Sequence, residues 1–286
     1  MAGEPEEKAN RPFRWLRVMV WFLGAVTLFY CVVLFVLFLF ENQLVYLPSS
    51  AQQFWREPEG YVKEDIMLPL DDGTKIHAWW CPKDEAKSVM LIAHGNAGNL
   101  SHRSFVVPLW QSKLDASVVM FDYPGYGKSE GSPTESGCYE SGEVVYNWLV
   151  QEKKLSPKTI VFFGRSLGSG IMTYLATKHD HKALVLSSPF TSLPDAAQRL
   201  YPYFPVRLLM RNRFPNLSRV SQCRSPIFLI HGEADSLIPI SHSEKLYSAA
   251  NEPKKFVRLA WHDHNHVMPE EVYEEVAEFL ENHAEK

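Results

Sequence analysis

A serine between two glycines, near the middle of the chain, limits the fold more than any other feature of this sequence. Residues 159–163 form an apolar run, Gly-Arg-Ser-Leu-Gly follows at 164–168, and helix-forming residues come next. This order is typical of a sharp turn between a strand and a helix, where glycines are needed because no nearby Cβ fits. The turn would place the Ser166 hydroxyl at the amino end of a helix, whose partial positive charge favours a developing anion. Ser166 is therefore a candidate nucleophile.

Apolar segments and helix-forming segments alternate through most of the chain after residue 60. The pattern predicts strands over residues 62–68, 75–80, 88–93, 117–121, 159–163, 183–187, 227–231 and 255–259. It predicts helices over residues 103–113 and 135–151, after Ser166 through residue 178, and over residues 241–250 and 269–282, with an irregular stretch over 189–225. Apolar strands that alternate with helices form a mostly parallel sheet covered on both faces. The predicted fold class is therefore α/β, with a mostly parallel, doubly wound sheet.

The first two predicted strands form an exception to the parallel order. Asp-Asp-Gly at 71–73 separates them, and a short turn of this composition is a strong hairpin signal. We therefore expect an antiparallel pair at one edge of the sheet.

Residues 18–40 contain no charged side chain and consist mainly of Leu, Val, Phe and Trp. As a helix this run would be about 34 Å long, enough for a bilayer core of roughly 30 Å. A cleaved signal peptide has a shorter apolar core and a small-residue cleavage site, and a buried soluble helix has a polar face. The run is longer than a signal-peptide core, has no such cleavage site and has no polar face. We therefore predict a single transmembrane anchor.

The charges around this run predict its orientation. Four basic residues precede it, whereas Glu41 follows it; the four are Lys8, Arg11, Arg14 and Arg17. By the positive-inside rule the N-terminus lies in the cytoplasm, and the rest of the chain lies on the extracytoplasmic side of the membrane. In that compartment the Asn-Leu-Ser sequons at Asn99 and Asn216 could carry glycans. The predicted division is a basic tail over 1–17, the anchor over 18–40, a linker over 41–60 and a globular domain over 61–286.

The overall composition excludes some classes of partner. The formal net charge is −4, and no block of Lys and Arg occurs outside the N-terminal flank, so we expect no nucleic-acid partner. The four cysteines lack the spacing of a metal site, and their number alone does not predict a disulfide. The sequence carries no signal for a particular oligomeric state.

A serine nucleophile needs a base and an acid, which this kind of fold supplies after later strands, in the order Ser, Asp or Glu, His. The predicted strand over 227–231 is followed by Gly-Glu-Ala-Asp, so Asp235 is the candidate acid and Glu233 the alternative. Asp235 could instead cap the next helix, but Ser241 is better placed for that role. We therefore predict that Asp235 orients the base.

Three histidines compete for the role of base after the predicted strand over 255–259. His264 is favoured because Asn265 follows it and the last helix begins soon after, and His262 and His266 are the alternatives. Their alternation, next to Asp263, also raises the possibility of a metal site. No other cluster completes a metal shell in a recognisable pattern, so we predict neither a metal nor a cofactor.

The negative charge that develops during acyl transfer needs prearranged donors. One should be the backbone N–H of Leu167, directly after the nucleophile. The other should be the backbone N–H of Asn96, in the loop after the predicted strand over 88–93. We expect His94, at the start of this loop, to brace it rather than to take part in the chemistry.

Five motifs jointly resemble the α/β-hydrolase superfamily, from about residue 61 to the C-terminus. They are His-Gly-Asn-Ala-Gly-Asn at 94–99, Asp-Tyr-Pro-Gly-Tyr-Gly-Lys-Ser-Glu-Gly at 122–131, Gly-Arg-Ser-Leu-Gly at 164–168, Ser-Pro-Phe-Thr-Ser at 188–192 and His-Gly-Glu-Ala-Asp at 231–235. Within the superfamily the chain is most similar to the membrane-anchored Bem46-like group. The resemblance implies an α/β-hydrolase fold and a Ser166, Asp235 and His264 triad.

The sequence departs from this group at the base. Members of the group usually carry Gly-His-Asn-Asp there, whereas this chain has Asp-His-Asn-His at 263–266. A related subgroup removes palmitate from proteins, but an N-terminal cysteine cluster holds it to membranes, and this chain lacks that cluster. The resemblance therefore does not imply depalmitoylation.

The segment over residues 200–210, within a possible small cap over 190–222, is rich in aromatic and aliphatic side chains. It either lines an acyl pocket or forms a short helix packed on the core. In both cases the expected activity is that of a membrane-anchored serine hydrolase that cleaves carboxylic ester or thioester bonds with an apolar acyl group. A small-molecule or lipid-like ester is the expected substrate. The alternatives are a catalytically silent membrane-anchored scaffold and a serine peptidase.

Overall fold

The computed structural model describes residues 11–265 and 267–283, without the side chains of residues 11–13. Contacts divide the chain into two compact units, Met1–Glu41 and Asn42–Lys286. In the first unit, α1 (Arg11–Leu39) is a continuous helix whose stretch Arg14–Leu39 is long and apolar enough to cross a bilayer. A helix of this kind near the N-terminus fits a membrane anchor and also a signal sequence. Residues 11–17 of the predicted tail are already helical, and residues 1–10 lie outside the described residues.

The second unit alternates strands and helices. The longer strands are β2 (Glu64–Pro69), β3 (Lys75–Cys81), β4 (Ser88–Ala93), β6 (Ala116–Phe121), β7 (Ile160–Arg165), β8 (Ala183–Ser187), β9 (Ile227–Gly232) and β10 (Lys254–Leu259), and the two short ones are β1 (Leu47–Pro48) and β5 (Ala97–Gly98). The helices are α2 (Glu41–Val45), α3 (Val106–Lys113), α4 (Glu135–Asn147), α5 (Leu167–Ala176), α6 (Leu193–Leu200), α7 (Val206–Leu209), α8 (Asn216–Val220), α9 (Ser241–Ala249) and α10 (Glu270–Asn282).

Among the described residues, eight strands form one sheet, in the order β10-β9-β8-β7-β4-β6-β3-β2. The strands from β10 to β6 are parallel, while β3 is antiparallel to both β6 and β2. The predicted α/β class, the mostly parallel sheet and the antiparallel hairpin at one edge are confirmed. In such a sheet the carboxyl ends of the parallel strands meet at one edge, which is where open α/β sheets build their sites.

The central strands are buried on both faces. Along β4, Leu91 packs in the core beneath α4 and α5, whereas Met90 and Ile92 pack in the core beneath α3 and α10. Every residue of β4, β6 and β8 is buried. Continuous burial of this kind explains why these strands are near-continuous apolar runs and do not alternate with polar residues.

Two regions differ from the sequence expectation in their local structure. The stretch over 189–225, expected to be irregular, contains α6, α7 and α8, and the predicted linker over 41–60 contains α2 and β1. Strand β1 pairs in parallel with β5, through Leu47 opposite Ala97 and Pro48 opposite Gly98. These elements are too short to show a clear hydrophobic period, so the packing around them decides their conformation.

Candidate active site

Ser166 lies on a strained turn at the end of the central strand β7. Its backbone has φ 50° and ψ −116°, a conformation that L-residues rarely adopt, and α5 begins at the next residue. A Cβ on Gly164 would lie 2.5 Å from the carbonyl oxygen of Gly168, and one on Gly168 would lie 2.1 Å from that of Ala93. Both glycines are therefore required by close backbone contacts, as the sequence pattern predicts.

The structure brings His264 and Asp235 to Ser166. His264 Nε2 lies 3.1 Å from Ser166 Oγ, and His264 Nδ1 lies 2.8 Å from Asp235 Oδ2. Because an ionised carboxylate only accepts hydrogen bonds, Nδ1 carries the proton and Nε2 can accept from the serine hydroxyl. Asp235 and His264 are buried, at 5% and 7% exposure. This arrangement leaves Nε2 in position to take the proton of Ser166.

Asp235 is held in its charged form by several donors. Its Oδ1 accepts from the backbone N–H groups of Leu237 (3.0 Å) and Ile238 (2.7 Å), and its Oδ2 lies 3.2 Å from His231 Nε2. Burial by itself favours the neutral carboxyl group, but the hydrogen bonds from His231, His264 and the Ile238 N–H outweigh it and lower the pKa of Asp235 well below its usual range. Asp235 therefore stays ionised next to the imidazole.

The backbone of His264 is held at both of its polar groups. Its N–H donates to Asp263 Oδ1 (2.7 Å), and its carbonyl oxygen accepts from the Arg165 guanidinium (2.8 Å). Asp263 Oδ1 also accepts from the backbone N–H and the hydroxyl of Ser236, at 2.7 and 2.8 Å. Asp263 thus joins the loop of the base to the loop of the acid, and Arg165 joins the base to the serine turn.

Arg165 and Asp263 were missed by the sequence reasoning. Arg165 lies inside the serine motif itself, and burial lowers the pKa of its guanidinium. Asp263 is one of the two positions, with His266, at which the chain departs from the Gly-His-Asn-Asp pattern of the group it resembles. That departure is the one signal in the sequence that could have drawn attention to Asp263.

Two of the three alternatives, Glu233 for the acid and His262 for the base, are not brought to Ser166. Glu233 is exposed, and His262 Nδ1 lies 2.7 Å from the carbonyl oxygen of Ala260. His266 lies outside the described residues. The expectation that Ser241 caps the helix after the acid loop is wrong, because α9 begins at Ser241 itself, directly after Ile240, without a side-chain cap.

The loop after β4 passes close to Ser166. A Cβ built on Gly95 would lie 3.7 Å from the Ser166 Cβ. The Asn96 side chain donates to the carbonyl oxygen of Val45 (2.7 Å), and the Asn96 carbonyl oxygen accepts from the Tyr126 hydroxyl (2.7 Å). Within the described residues, neither the Asn96 N–H nor the Leu167 N–H is donated to a protein acceptor. Both N–H groups therefore remain candidate oxyanion donors.

His94 belongs to a second buried cluster beneath this loop. His94 Nδ1 lies 2.6 Å from the carbonyl oxygen of Gly95, and its Nε2 lies 3.1 Å from Asp122 Oδ1, which also accepts from the Leu100 N–H (2.8 Å). His77 Nδ1 lies 4.0 Å from Asp122 Oδ2, beyond hydrogen-bonding distance. Burial opposes the charge on Asp122, but the neighbouring His77 and His94 rings and the Leu100 N–H outweigh it and lower the pKa of Asp122. These contacts brace the loop, as expected for His94.

Among the described residues, no group of three His, Cys, Asp or Glu side chains is arranged to hold a metal ion.

The burial of Asn99 and Asn216 decides whether the two sequons can be glycosylated in the folded protein. Asn99 and Asn216 are fully buried, and their amides donate to protein groups: Asn99 to the Ser49 and Phe54 carbonyls, and Asn216 to Ser169 Oγ and the Phe190 carbonyl. In the folded protein neither amide is accessible to a glycan.

Comparison with known proteins agrees with this geometry. A family model described as alpha/beta hydrolase fold matches residues 88–209, and one described as serine hydrolase (FSH1) matches residues 161–277. The chain is 33% identical over 227 residues to a protein of Mycobacterium tuberculosis that is named as uncharacterized, covering 79% of this chain and 80% of that protein. The chain belongs to the α/β-hydrolase family.

Other relatives and solved structures agree with this assignment. The Escherichia coli protein YfhR is 30% identical over 248 residues, covering 81% of this chain and 86% of YfhR. The alpha/beta hydrolase domain-containing protein WAV2 of Arabidopsis thaliana is 29% identical over 234 residues, covering 74% of this chain and 76% of WAV2. A crystal form of the Pyrococcus furiosus esterase Pf2001 has the same fold, with a TM-score of 0.69 and 21% identity over 84% of this chain and 100% of that chain.

Proposed function

We propose that this protein is a membrane-anchored serine hydrolase that cleaves carboxylic ester or thioester bonds carrying an apolar acyl group. The observation that carries the proposal is the position of one imidazole, with Nε2 3.1 Å from Ser166 Oγ and Nδ1 2.8 Å from Asp235 Oδ2. A serine needs such a base to become a nucleophile, and the base needs such an acid to hold its tautomer.

The proposed reaction is a two-step acyl transfer to water. Ser166 Oγ attacks the carbonyl carbon while its proton moves to His264 Nε2, and Asp235 stabilises the imidazolium that forms. The N–H groups of Asn96 and Leu167 donate to the oxyanion of the tetrahedral intermediate. His264 then protonates the leaving alcohol or thiol, which departs and leaves an acyl group on Ser166. Water, deprotonated by His264, attacks this acyl-enzyme and regenerates Ser166.

A fluorophosphonate probe tests the proposal, because it reacts covalently with an activated serine. We expect the full-length protein to be labelled and Ser166→Ala not to be labelled. Ser218→Ala is the matched control, since Ser218 is exposed and its hydroxyl donates to the carbonyl oxygen of Pro215, away from the candidate triad. Absence of labelling in the wild type would favour the silent scaffold, and labelling that survives Ser166→Ala would exclude Ser166 as the nucleophile.

A panel of esters, thioesters and peptide amides with graded acyl length tests the substrate class. We expect kcat/KM to rise with acyl length for the esters and thioesters and to stay near background for the amides. A preference for amides would instead favour the serine peptidase. Chelator treatment should leave hydrolysis unchanged.

The proposed location is a single-pass arrangement with the N-terminus in the cytoplasm and the hydrolase domain on the extracytoplasmic side. An epitope tag placed before Met1 and a second tag placed after Lys286 test this arrangement in sealed membranes. We expect protease added from the cytoplasmic side to remove the first tag and to leave the second intact. The reverse pattern would overturn the proposed orientation, and a soluble protein without the first tag would indicate a cleaved signal sequence.

A further inference from the structure

Apolar side chains are unusually exposed in residues 193–213, which span α6, α7 and the turn between them; we call this stretch the α6–α7 segment. Tyr203 is 86% exposed and Leu208 is 81% exposed, and Leu200 and Tyr201 are also exposed. These four residues lie within nine positions of one another. Single exposed apolar side chains are ordinary on soluble proteins, but a cluster of this kind marks an interaction surface.

The same segment is basic, although the whole chain carries a formal charge of −4. It contains four arginines and a single acidic residue, Asp195, which gives it a net charge of +3. All four arginines are exposed; they are Arg199, Arg207, Arg211 and Arg213. Asp195 Oδ1 forms an ion pair with Arg207 Nε at 2.8 Å. The charge of the segment is therefore complementary to a negative surface.

Both ends of the segment are firmly attached to the rest of the unit. Before it, the Thr191 N–H donates to His242 Nδ1 (3.1 Å), and the Ser192 hydroxyl caps α6 by accepting from the Asp195 N–H (3.2 Å). After it, Phe214 packs against Gly170 of α5, where a Cβ would lie 2.5 Å from the Phe214 ring. The exposed tips thus project from a fixed base and do not belong to a loose tail.

The combination of exposed Tyr and Leu with arginines favours a lipid surface over a protein partner. Aromatic and leucine side chains enter the headgroup and acyl boundary of a bilayer, while arginines pair with anionic headgroups. The anchor proposed above ends at residue 40 and the second unit begins at Asn42, so the proposed anchor would tether this unit to a bilayer. We propose that the α6–α7 segment is a second membrane contact, which inserts Tyr203 and Leu208 into the interface of an anionic bilayer; this rests on the proposed anchoring and requires anionic lipid in the leaflet that faces the hydrolase domain.

This contact would also direct substrate to the serine. The α6–α7 segment follows β8 at the carboxyl end of the sheet, the same end at which Ser166 and His264 lie. The loop of the base exposes two further apolar side chains there, Trp261 (92%) and Val267 (62%). In this proposal an acyl chain enters the site from the side of the α6–α7 segment, and the substrate class is an ester of a membrane lipid.

Spin labels on the full-length protein in lipid nanodiscs test the contact directly. Cys31→Ser removes the exposed native cysteine, and the other three cysteines are buried. In this background a label at Leu208→Cys reports the segment, and a label at Val62→Cys is the control, since Val62 is 69% exposed and precedes β2. In discs of phosphatidylcholine with phosphatidylserine, we expect the Leu208 label to be relaxed by oxygen and protected from a water-soluble nickel complex. The Val62 label should show the opposite pattern.

Two further measurements test the contact: the dependence of label protection on lipid composition, and the hydrolysis of a bilayer ester compared with a soluble ester. Protection at Leu208 should weaken in discs of phosphatidylcholine alone, and each of Arg199→Gln and Arg211→Gln should weaken the preference for phosphatidylserine by about fivefold. The double variant Tyr203→Ser/Leu208→Ser should lose several-fold activity on a long-chain ester within the anionic bilayer and keep its activity on a soluble short-chain ester. Equal losses on both esters would mean a folding defect and would remove this support.

Two outcomes would overturn the proposal. One is a Leu208 label as accessible to the nickel complex as the Val62 label in anionic discs. The other is a Leu208 label whose spectrum is broadened by spin–spin interaction in discs that hold several copies and not in discs that hold one. This result would show that a second copy of the chain, and not lipid, covers the α6–α7 segment. Ser166→Ala should leave the label depth unchanged, and a failed fluorophosphonate reaction would remove the proposed function without altering the depth measurement.

Discussion

Two buried pairs of histidine and aspartate lie at the carboxyl end of the same sheet, and they differ in what else each histidine contacts. His264 has Asp235 on one ring nitrogen and Ser166 on the other. His94 has Asp122 on one ring nitrogen and a backbone carbonyl oxygen, that of Gly95, on the other. The first imidazole therefore has a hydroxyl proton to accept, whereas both nitrogens of the second face acceptor oxygens.

The difference shows why residue types alone do not identify a catalytic pair. Both aspartates are buried, and neighbouring groups lower the pKa of both. What separates them is the strained turn at Ser166, which places a hydroxyl within 3.1 Å of an imidazole. The pair around His94 instead holds the loop that contains Asn96. We expect the first pair to control the rate, and the second pair to affect stability with little effect on the rate.

The largest effect expected from this comparison is the loss of the base. His264→Ala should lower kcat by roughly 10³–10⁶-fold, because His264 is the one described residue whose side chain hydrogen-bonds to Ser166 Oγ. The melting temperature should fall as well, because Asp235 loses one of the donors that hold it ionised. Hydrolysis of a soluble ester measures kcat, and His262→Ala is the matched control, expected to stay within about twofold of the wild type. Loss of activity in His262→Ala with activity retained in His264→Ala would reverse the assignment.

Replacing each of the two aspartates with asparagine tests the difference between the two pairs most directly. Asp235→Asn should lower kcat by about 10³–10⁴-fold, because an amide beside Nδ1 favours the wrong tautomer of His264. Asp122→Asn should change kcat by no more than about tenfold, since Asp122 acts only by bracing the loop.

Both variants should lose stability, but Asp122→Asn should do so while keeping most of its activity. Asp122→Asn removes a charged acceptor from a fully buried network and should cost about 1–3 kcal/mol, or roughly 2–4 °C of melting temperature per kcal/mol. Thermal unfolding of both variants measures this difference. If Asp122→Asn lost as much kcat as Asp235→Asn while remaining folded, the second pair would have to belong to the chemistry.

The pH dependence of stability gives a smaller effect. The folded-state pKa values of Asp122 and Asp235 are lowered, so their stabilising contributions are complete above the ordinary carboxyl pKa of about 4. These contributions are lost as the pH falls below that value towards the folded-state pKa values. At pH values below about 4 the melting temperature should therefore decrease with decreasing pH, and this decrease should be less steep in Asp122→Asn than in the wild type. An identical dependence of the melting temperature on pH in the wild type and in Asp122→Asn would contradict this contribution of Asp122.

The smallest effect concerns Asp263, which joins the loops of the acid and the base. Asp263→Gly installs the residue usual in the resembling group and should lower kcat by about tenfold or less, with KM unchanged, because His264 loses a backbone restraint. Asp263→Asn keeps an acceptor oxygen for Ser236 and should recover most of the loss. An unchanged kcat in Asp263→Gly would show that Arg165 and the triad bonds suffice to hold His264.

The sequence by itself determined the features that depend on neighbouring residues. The strand–turn–helix around Ser166 is recognisable because two glycines are required by local backbone contacts. The strand β4 was predicted with its observed bounds, since a strand buried on both faces is a continuous apolar run. The position of Asp235 after a later strand follows from the same pattern of alternation.

Only the tertiary structure decided the features that join distant parts of the chain. His264 and Ser166 are separated by 98 positions, and Arg165 and His264 by 99, so the local pattern favoured His264 among three histidines but could not show its contacts. The partner of Asp263 and the burial of Asn99 and Asn216 depend in the same way on packing between loops. Short-range sequence patterns determine backbone conformation, whereas the pairing of side chains depends on which loops the sheet brings together at its carboxyl end.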